Sequence, residues 1–146
     1  LNLLNGKLGL YFEIEGKKYF KNVWEARNDY IDILLNLGNG DVLNNFFDKH
    51  SSDELNGDEI KTALSLLEMQ KFSMLMFTSC GWFFSDISGL ESKKVLEYAK
   101  RAVEIARSVS GLDFDEEFLE ILGFAKSNKP EFGTGRDIYM KLVKQN

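Results

Sequence analysis

The sequence predicts an all-α fold, a bundle of about six helices with a small β-hairpin at its N-terminus. Three observations carry this. Apolar residues recur at helical spacing through most of the chain beyond residue 20, and Ser, Thr, Asp or Asn stands before most of these runs. The chain has a single proline, Pro130, and proline gathers in loops rather than helix interiors. Residues 60–77 are apolar first on one face, at Ile60, Ala63, Leu64 and Leu67. From Phe72 they are apolar on nearly all sides, which predicts a central helix buried all round.

The elements follow in order. Leu10, Phe12 and Ile14 alternate with Tyr11, Glu13 and Glu15, the period of a strand. Glu15-Gly16-Lys17-Lys18 can turn that strand back through Tyr19 and Phe20. The rival reading is the end of a helix. Residues 1–20 therefore stand apart as an N-terminal segment or linker, and 21–146 as the helical domain. Asn22 caps a helix running from Val23 to about Leu37 and closed by Gly38; its apolar face includes Val23, Tyr30 and Leu34. Arg27 lies on that side, where a buried guanidinium needs a carboxylate or other acceptors. Its stem can instead pack while its head reaches water. Asp41 opens a short helix with Val42, Leu43, Phe46 and Phe47, ended by His50 and the Ser-Ser-Asp that follows. Asn56 with Glu59 reads as a capping box for the central helix, which Gly81 ends. Ser88 with Glu91 opens the next helix, from Leu90 to about Val109. Its stripe of Val95, Ala99, Ala102, Ala106 and Val109 permits close packing, and Gly111 stops it. Asp113 with Glu116 caps a helix burying Phe118 and Leu122; a loop through Pro130 follows; Thr134 opens the last helix, with Ile138 and Tyr139.

Length and charge bound the function. A chain of 146 residues is one domain by the usual prior, long enough to bury roughly 68–70% of its unfolded surface. The net charge is −5, with acids and bases interleaved and no basic stripe, which argues against nucleic acid as a partner. The apolar run at 72–77 is too short to cross a bilayer. One cysteine excludes an internal disulfide and fits a reducing compartment, so a cytoplasmic protein is expected. The Leu-Asn-Leu-Leu start is too short for a signal peptide, and a start on leucine rather than methionine suggests part of a longer protein.

Chemistry-bearing residues gather at 78–91. Cys80 as a nucleophile needs a base, and the sole histidine, His50, sits at the end of another helix. Packing as a small apolar residue is the simpler role. One His and one Cys cannot close a zinc site, and no acidic loop has calcium-ligand spacing, so no metal or other cofactor is expected. Paired carboxylates hydrolyse glycosidic bonds, and Glu68, Asp86 and Glu91 are the local acids. Glu68 and Ser79 lie eleven residues apart, about three helical turns and roughly 16 Å, so Glu68 is not automatically near Asp86. The aromatic corner is the stronger candidate. Trp82 and Phe83, beside Ser79 and Asp86, can form a platform for sugar rings rimmed by acceptors. The same residues can instead fill the core or dock another domain.

These residues carry a resemblance. The chain from Leu66-Leu67-Glu68-Met69-Gln70 through Met74-Leu75-Met76-Phe77-Thr78-Ser79-Cys80-Gly81-Trp82-Phe83-Phe84 to Ile87-Ser88-Gly89-Leu90-Glu91 resembles the C-terminal domain of unknown function of glycoside hydrolase family 57-like proteins. Trp24-Glu25-Ala26-Arg27-Asn28-Asp29-Tyr30-Ile31 extends the likeness upstream; Ala125-Lys126-Ser127-Asn128 and Gly135-Arg136-Asp137-Ile138-Tyr139 extend it downstream. The resemblance implies a catalytic (β/α) barrel upstream in the same chain, with α-glucans as substrate. It implies a helical domain that packs on that barrel and helps shape the cleft. No barrel motif occurs here, so no catalytic residue is assigned. On this reading Trp82 and Phe83 stack on sugar rings, Asp86 and Ser79 bind hydroxyls, and Arg27 and Glu68 support the corner as a buried pair. The alternative is a structural or oligomerising bundle without a ligand.

Overall fold

The computed structural model describes residues 1–78 and 86–145. Among these, the fold is an all-α bundle of seven helices: α1 (Asn2–Gly16), α2 (Val23–Leu35), α3 (Gly40–His50), α4 (Gly57–Leu75), α5 (Leu90–Ser110), α6 (Asp115–Phe124) and α7 (Gly135–Lys144). A short 3-10 turn, Pro130–Phe132, precedes α7. The helix α4 is central and packs on α5, α1 and α2, while α6 and α7 pair with each other and α7 leans on α5.

The expected hairpin is instead the helix α1. Leu4, Leu8, Tyr11 and Phe12 recur at helical spacing and are buried in the common core, with Leu8 and Phe12 fully enclosed. Burying side chains of this size contributes about 1.5–3 kcal/mol each, so residues 1–20 are part of the bundle. Two polar ties lock α1 to α4: buried Gln70 Nε2 donates to the Leu8 carbonyl at 3.2 Å, and Ser73 Oγ donates to Asn5 Oδ1 at 2.7 Å. The outer side of α1 is also apolar, with Leu3, Leu10 and Ile14 between 45% and 61% exposed.

The central helix begins as its sequence signals. Asn56 Oδ1 accepts from the amides of Asp58 and Glu59, and Glu59 returns a carboxylate to the Asn56 amide at 2.8 Å. It stops at Leu75, and its last turn is not enclosed on every side. Ser73 and Met76 are fully buried, but Met74 and Phe77 are 49% and 36% exposed. The small stripe of α5 packs as expected, Ala99, Ala102 and Ala106 being fully buried, and Gly111 ends that helix in the left-handed region at φ 70°.

Several caps shift by a residue or two. Asn39, not Asp41, caps α3, accepting from the Asp41 and Val42 amides. The helix α2 ends at Leu35, where Asn36 Nδ2 donates back to the Asp32 carbonyl. Gly89 precedes α5 without a side-chain cap, and Asp113, one residue before the N-cap position, accepts from the Asp115 amide at the start of α6 and also pairs with Arg107. Thr134 caps α7 as expected, in a reciprocal pair with Asp137. Two buried polar groups close the far end of the bundle. The Lys100 ammonium donates to the Leu142 carbonyl at 3.1 Å. The Tyr139 hydroxyl donates to Asp115, and burial beside that carboxylate raises its pKa far above the usual phenol range.

Candidate functional site

Ser79, Cys80, Gly81, Trp82, Phe83 and Phe84 lie outside the described residues. The frame on either side of them is described. On one side α4 delivers Met76 into the core, with Phe77 and Thr78 following. On the other side stands Asp86.

Asp86 is the most heavily bonded side chain of this corner. Its Oδ1 accepts from the Ser88 amide at 2.7 Å and from Ser127 Oγ at 2.8 Å, and its Oδ2 accepts from the Asn128 amide. The Ser88 hydroxyl donates to the same carboxylate. These donors, the Ser88 hydroxyl first, hold the Asp86 pKa well below the usual carboxylate range. Its backbone carbonyl accepts from Ser92 Oγ at 3.1 Å and the Gly89 amide at 3.2 Å. One residue therefore ties the start of α5 to the α6–α7 loop. That loop is shaped to receive it. Lys126 and Thr134 form an isolated antiparallel bridge, the Ser127 amide donates to the Gly133 carbonyl, and the Gly135 amide donates to the Ala125 carbonyl at 2.7 Å. Ile87 completes the contact against Gly135, where a Cβ would lie 3.0 Å from Ile87 Cδ1 and 2.9 Å from the Leu122 carbonyl oxygen.

A depressed carboxylate makes stability depend on acid in a fixed sense. The unfolded aspartate titrates near 3.9 and the folded one below it. The stabilisation is complete above that value and is lost as the pH falls toward the folded pKa. The Asp86→Asn variant should accordingly unfold at a lower temperature than the parent near neutral pH. The gap should narrow toward about pH 3. Thermal melts across that range read it directly, and a constant gap would contradict the assignment.

Arg27 and Glu68 do not form the expected pair. The Arg27 guanidinium lies 4.9 Å from the Trp24 ring centroid and donates to Asn28 Oδ1 at 2.9 and 3.3 Å. Glu68 faces Lys71 at 3.7 Å on its own helix. Half-exposed Arg27 is thus held by its neighbours on α2, the stem-packed arrangement that a long cationic side chain takes at a helix surface.

A second polar cluster escaped the sequence reading. His50, expected at a polar helix end, is buried against Phe46 with ring centroids 4.8 Å apart. Its Nε2 lies 2.9 Å from Asp29 Oδ2, which also accepts from Lys49 Nζ at 2.6 Å. An ionised carboxylate only accepts, so Nε2 carries the proton. Hydrogen bonds from Lys49 first and His50 second lower the Asp29 pKa. The short α2–α3 connection makes these helices an antiparallel pair, which was the available signal that α3 returns to α2. The dyad orients a histidine but presents no nucleophile to it among the described residues, so its evident work is to bind α3 to α2.

Among the described residues no group of three or more His, Cys, Asp or Glu is placed to hold a metal ion, and no helix is long and apolar enough to cross a membrane. No curated protein and no solved structure gives a significant match to the chain. One family model does match, over residues 1–146. The chain therefore belongs to the DUF3536 family, a domain of unknown function.

Proposed function

We propose that the chain is a non-catalytic helical C-terminal domain of a family 57-like glycoside hydrolase, which packs on a catalytic barrel and helps shape an α-glucan cleft. The observation that carries the packing half is α1. It is apolar on both sides, with Leu8 and Phe12 enclosed in the bundle and Leu3, Leu10 and Ile14 facing out. An exposed run of large apolar side chains marks an interaction surface, and the outer stripe of Leu3, Leu10 and Ile14 is the surface offered to the barrel. The cleft half is supported by the resemblance through residues 66–91 and by the firm bonding of Asp86, which follows the aromatic residues in the sequence. In this reading Trp82 and Phe83 stack on sugar rings and Ser79 binds a hydroxyl. Asp86, whose oxygens already accept from protein donors, acts as the post that fixes the segment. The full-length protein carries the hydrolase or glucanotransferase activity on residues outside this chain.

Titrating the chain with linear α-glucan oligosaccharides while following tryptophan fluorescence tests the cleft assignment, with Trp82→Ala separating Trp82 from Trp24. A saturable change in the parent that disappears in Trp82→Ala is the expected result. A change that persists in Trp82→Ala, or none at all, removes the sugar platform and leaves a packing module.

A further inference from the structure

A second stripe runs along α2. Trp24, Arg27, Ile31 and Leu35 recur at helical spacing, on the side turned away from buried Ala26 and Ile33. Ile31 and Leu35 are 51% and 75% exposed. Trp24 is partly buried. Its ring meets Phe12 of α1 edge-on, and its Cη2 lies 3.9 Å from where a Cβ on Gly9 would stand. Gly9 precedes Leu10, so the α2 stripe reaches α1 through Trp24, beside the outer face of that helix.

Arg27 gives the stripe its chemistry, and what sets it apart is its fixation. It is partly buried, its guanidinium 4.9 Å from the Trp24 ring centroid, and its Nε and Nη2 both donate to Asn28 Oδ1. A side chain already held in place gives up little further freedom on binding. Among the described residues no carboxylate pairs with it, and the edge between Nη1 and Nη2 carries no other hydrogen bond. That edge presents two parallel N–H groups, the geometry of a bidentate carboxylate contact. A Trp and an Arg flanked by aliphatic side chains is also the composition found at the centre of protein interfaces.

We infer that α2 continues the surface that α1 offers to the barrel, with Ile31 covered by that domain and Arg27 taking one of its carboxylates on the open Nη1–Nη2 edge. This rests on the packing proposed above and deepens it, naming the second helix of the interface and the charge that the barrel sets against it. The occupant follows from continuity: the two stripes approach each other at Trp24, so a domain lying on Leu10 extends onto α2. The carboxylate follows from burial. A covering domain takes Arg27 out of water, and a guanidinium buried without an opposite charge is strongly destabilising.

The test labels single cysteines in the proposed longer, barrel-containing protein, in a Cys80→Ser background, and reads each site by peptide mass. Ile31→Cys is compared with Leu112→Cys, because the two positions are 51% and 52% exposed in this structure. Ile31→Cys should label at least about tenfold more slowly than Leu112→Cys. Adding Arg27→Lys, which keeps the charge and loses the fork, should speed labelling of Ile31→Cys at least about threefold. The same substitution should leave the thermal melt of the 146-residue chain unchanged, which a role confined to holding α2 would not. Equal rates at Ile31→Cys and Leu112→Cys, with Leu10→Cys still protected, overturn the inference and leave the packing of α1 standing. Free labelling of Leu10→Cys as well removes both together. Protection of Ile31→Cys that Arg27→Lys does not relax overturns the carboxylate contact.

Discussion

Replacing Phe12 by alanine should cost about 3–5 kcal/mol in a denaturant unfolding experiment, a large part of the roughly 5–15 kcal/mol that holds a domain of this size together. Phe12 is fully buried, and its ring meets Trp24 edge-on at 5.4 Å between centroids. It also lies beside Gly16 and Val23, where α1 hands over to α2. The cavity left by truncation has helix backbone on two sides and cannot collapse cheaply. Leu10→Ala, two residues earlier on the outer face, should change stability by no more than about 0.5 kcal/mol. The pair of results separates the two faces of one helix. Equal effects would mean that α1 is not seated as described.

Gly135→Ala should destabilise by about 1–3 kcal/mol, although alanine is the better helix former. The added Cβ would meet the Leu122 carbonyl oxygen at 2.9 Å and Ile87 Cδ1 at 3.0 Å. The first of these is backbone, held in the last turn of α6 just before the Ala125 carbonyl that accepts from the Gly135 amide. The strain therefore falls on the loop that receives Asp86. Gly123→Ala, in α6 with nothing within 4 Å of the new Cβ, is the internal control. It should be neutral or stabilising by up to about 1 kcal/mol. Thermal melts of both variants decide the matter, and a Gly135→Ala chain as stable as the parent would contradict the packing of Ile87 on α7.

Much of the helical frame is legible in the residues alone. The Asn56/Glu59 box, the small stripe of α5, Gly111 and the Thr134 cap are local signals, and each appears where its chemistry places it. The helix α1 misled because both its faces are apolar. Leu10 and Ile14 point outward while Tyr11 and Phe12 point inward, and two interleaved helical stripes can imitate the alternation of a strand. The shifted caps have a related cause. Ser88 carries capping chemistry but is engaged by Asp86 two residues before it, and Asp113 shares its carboxylate between the Asp115 amide and Arg107 at the end of α5. The same limit applies to the site. The role of Asp86 depends on a loop 41 residues downstream, and the His50–Asp29 contact on how two helices fold back on each other. Arg27 stands half-exposed beside the buried stripe of Val23, Ala26, Tyr30 and Ile33, where the ring of Trp24 and the side-chain amide of Asn28 meet its guanidinium while Glu68 pairs with Lys71.

The outer stripe of α1 is the feature on which the proposed packing rests, and thiol labelling reads it most directly. Single cysteines at Leu10 and Ile14, in a Cys80→Ser background, would be labelled in the 146-residue chain and in the proposed longer, barrel-containing protein, with Leu112→Cys in the loop after α5 as an exposed reference. The expected result is rapid labelling of Leu10→Cys and Ile14→Cys in the isolated chain and strong protection in the longer protein, with Leu112→Cys unchanged. Equally rapid labelling of both positions in the longer protein would contradict the docking of α1 on a neighbouring domain.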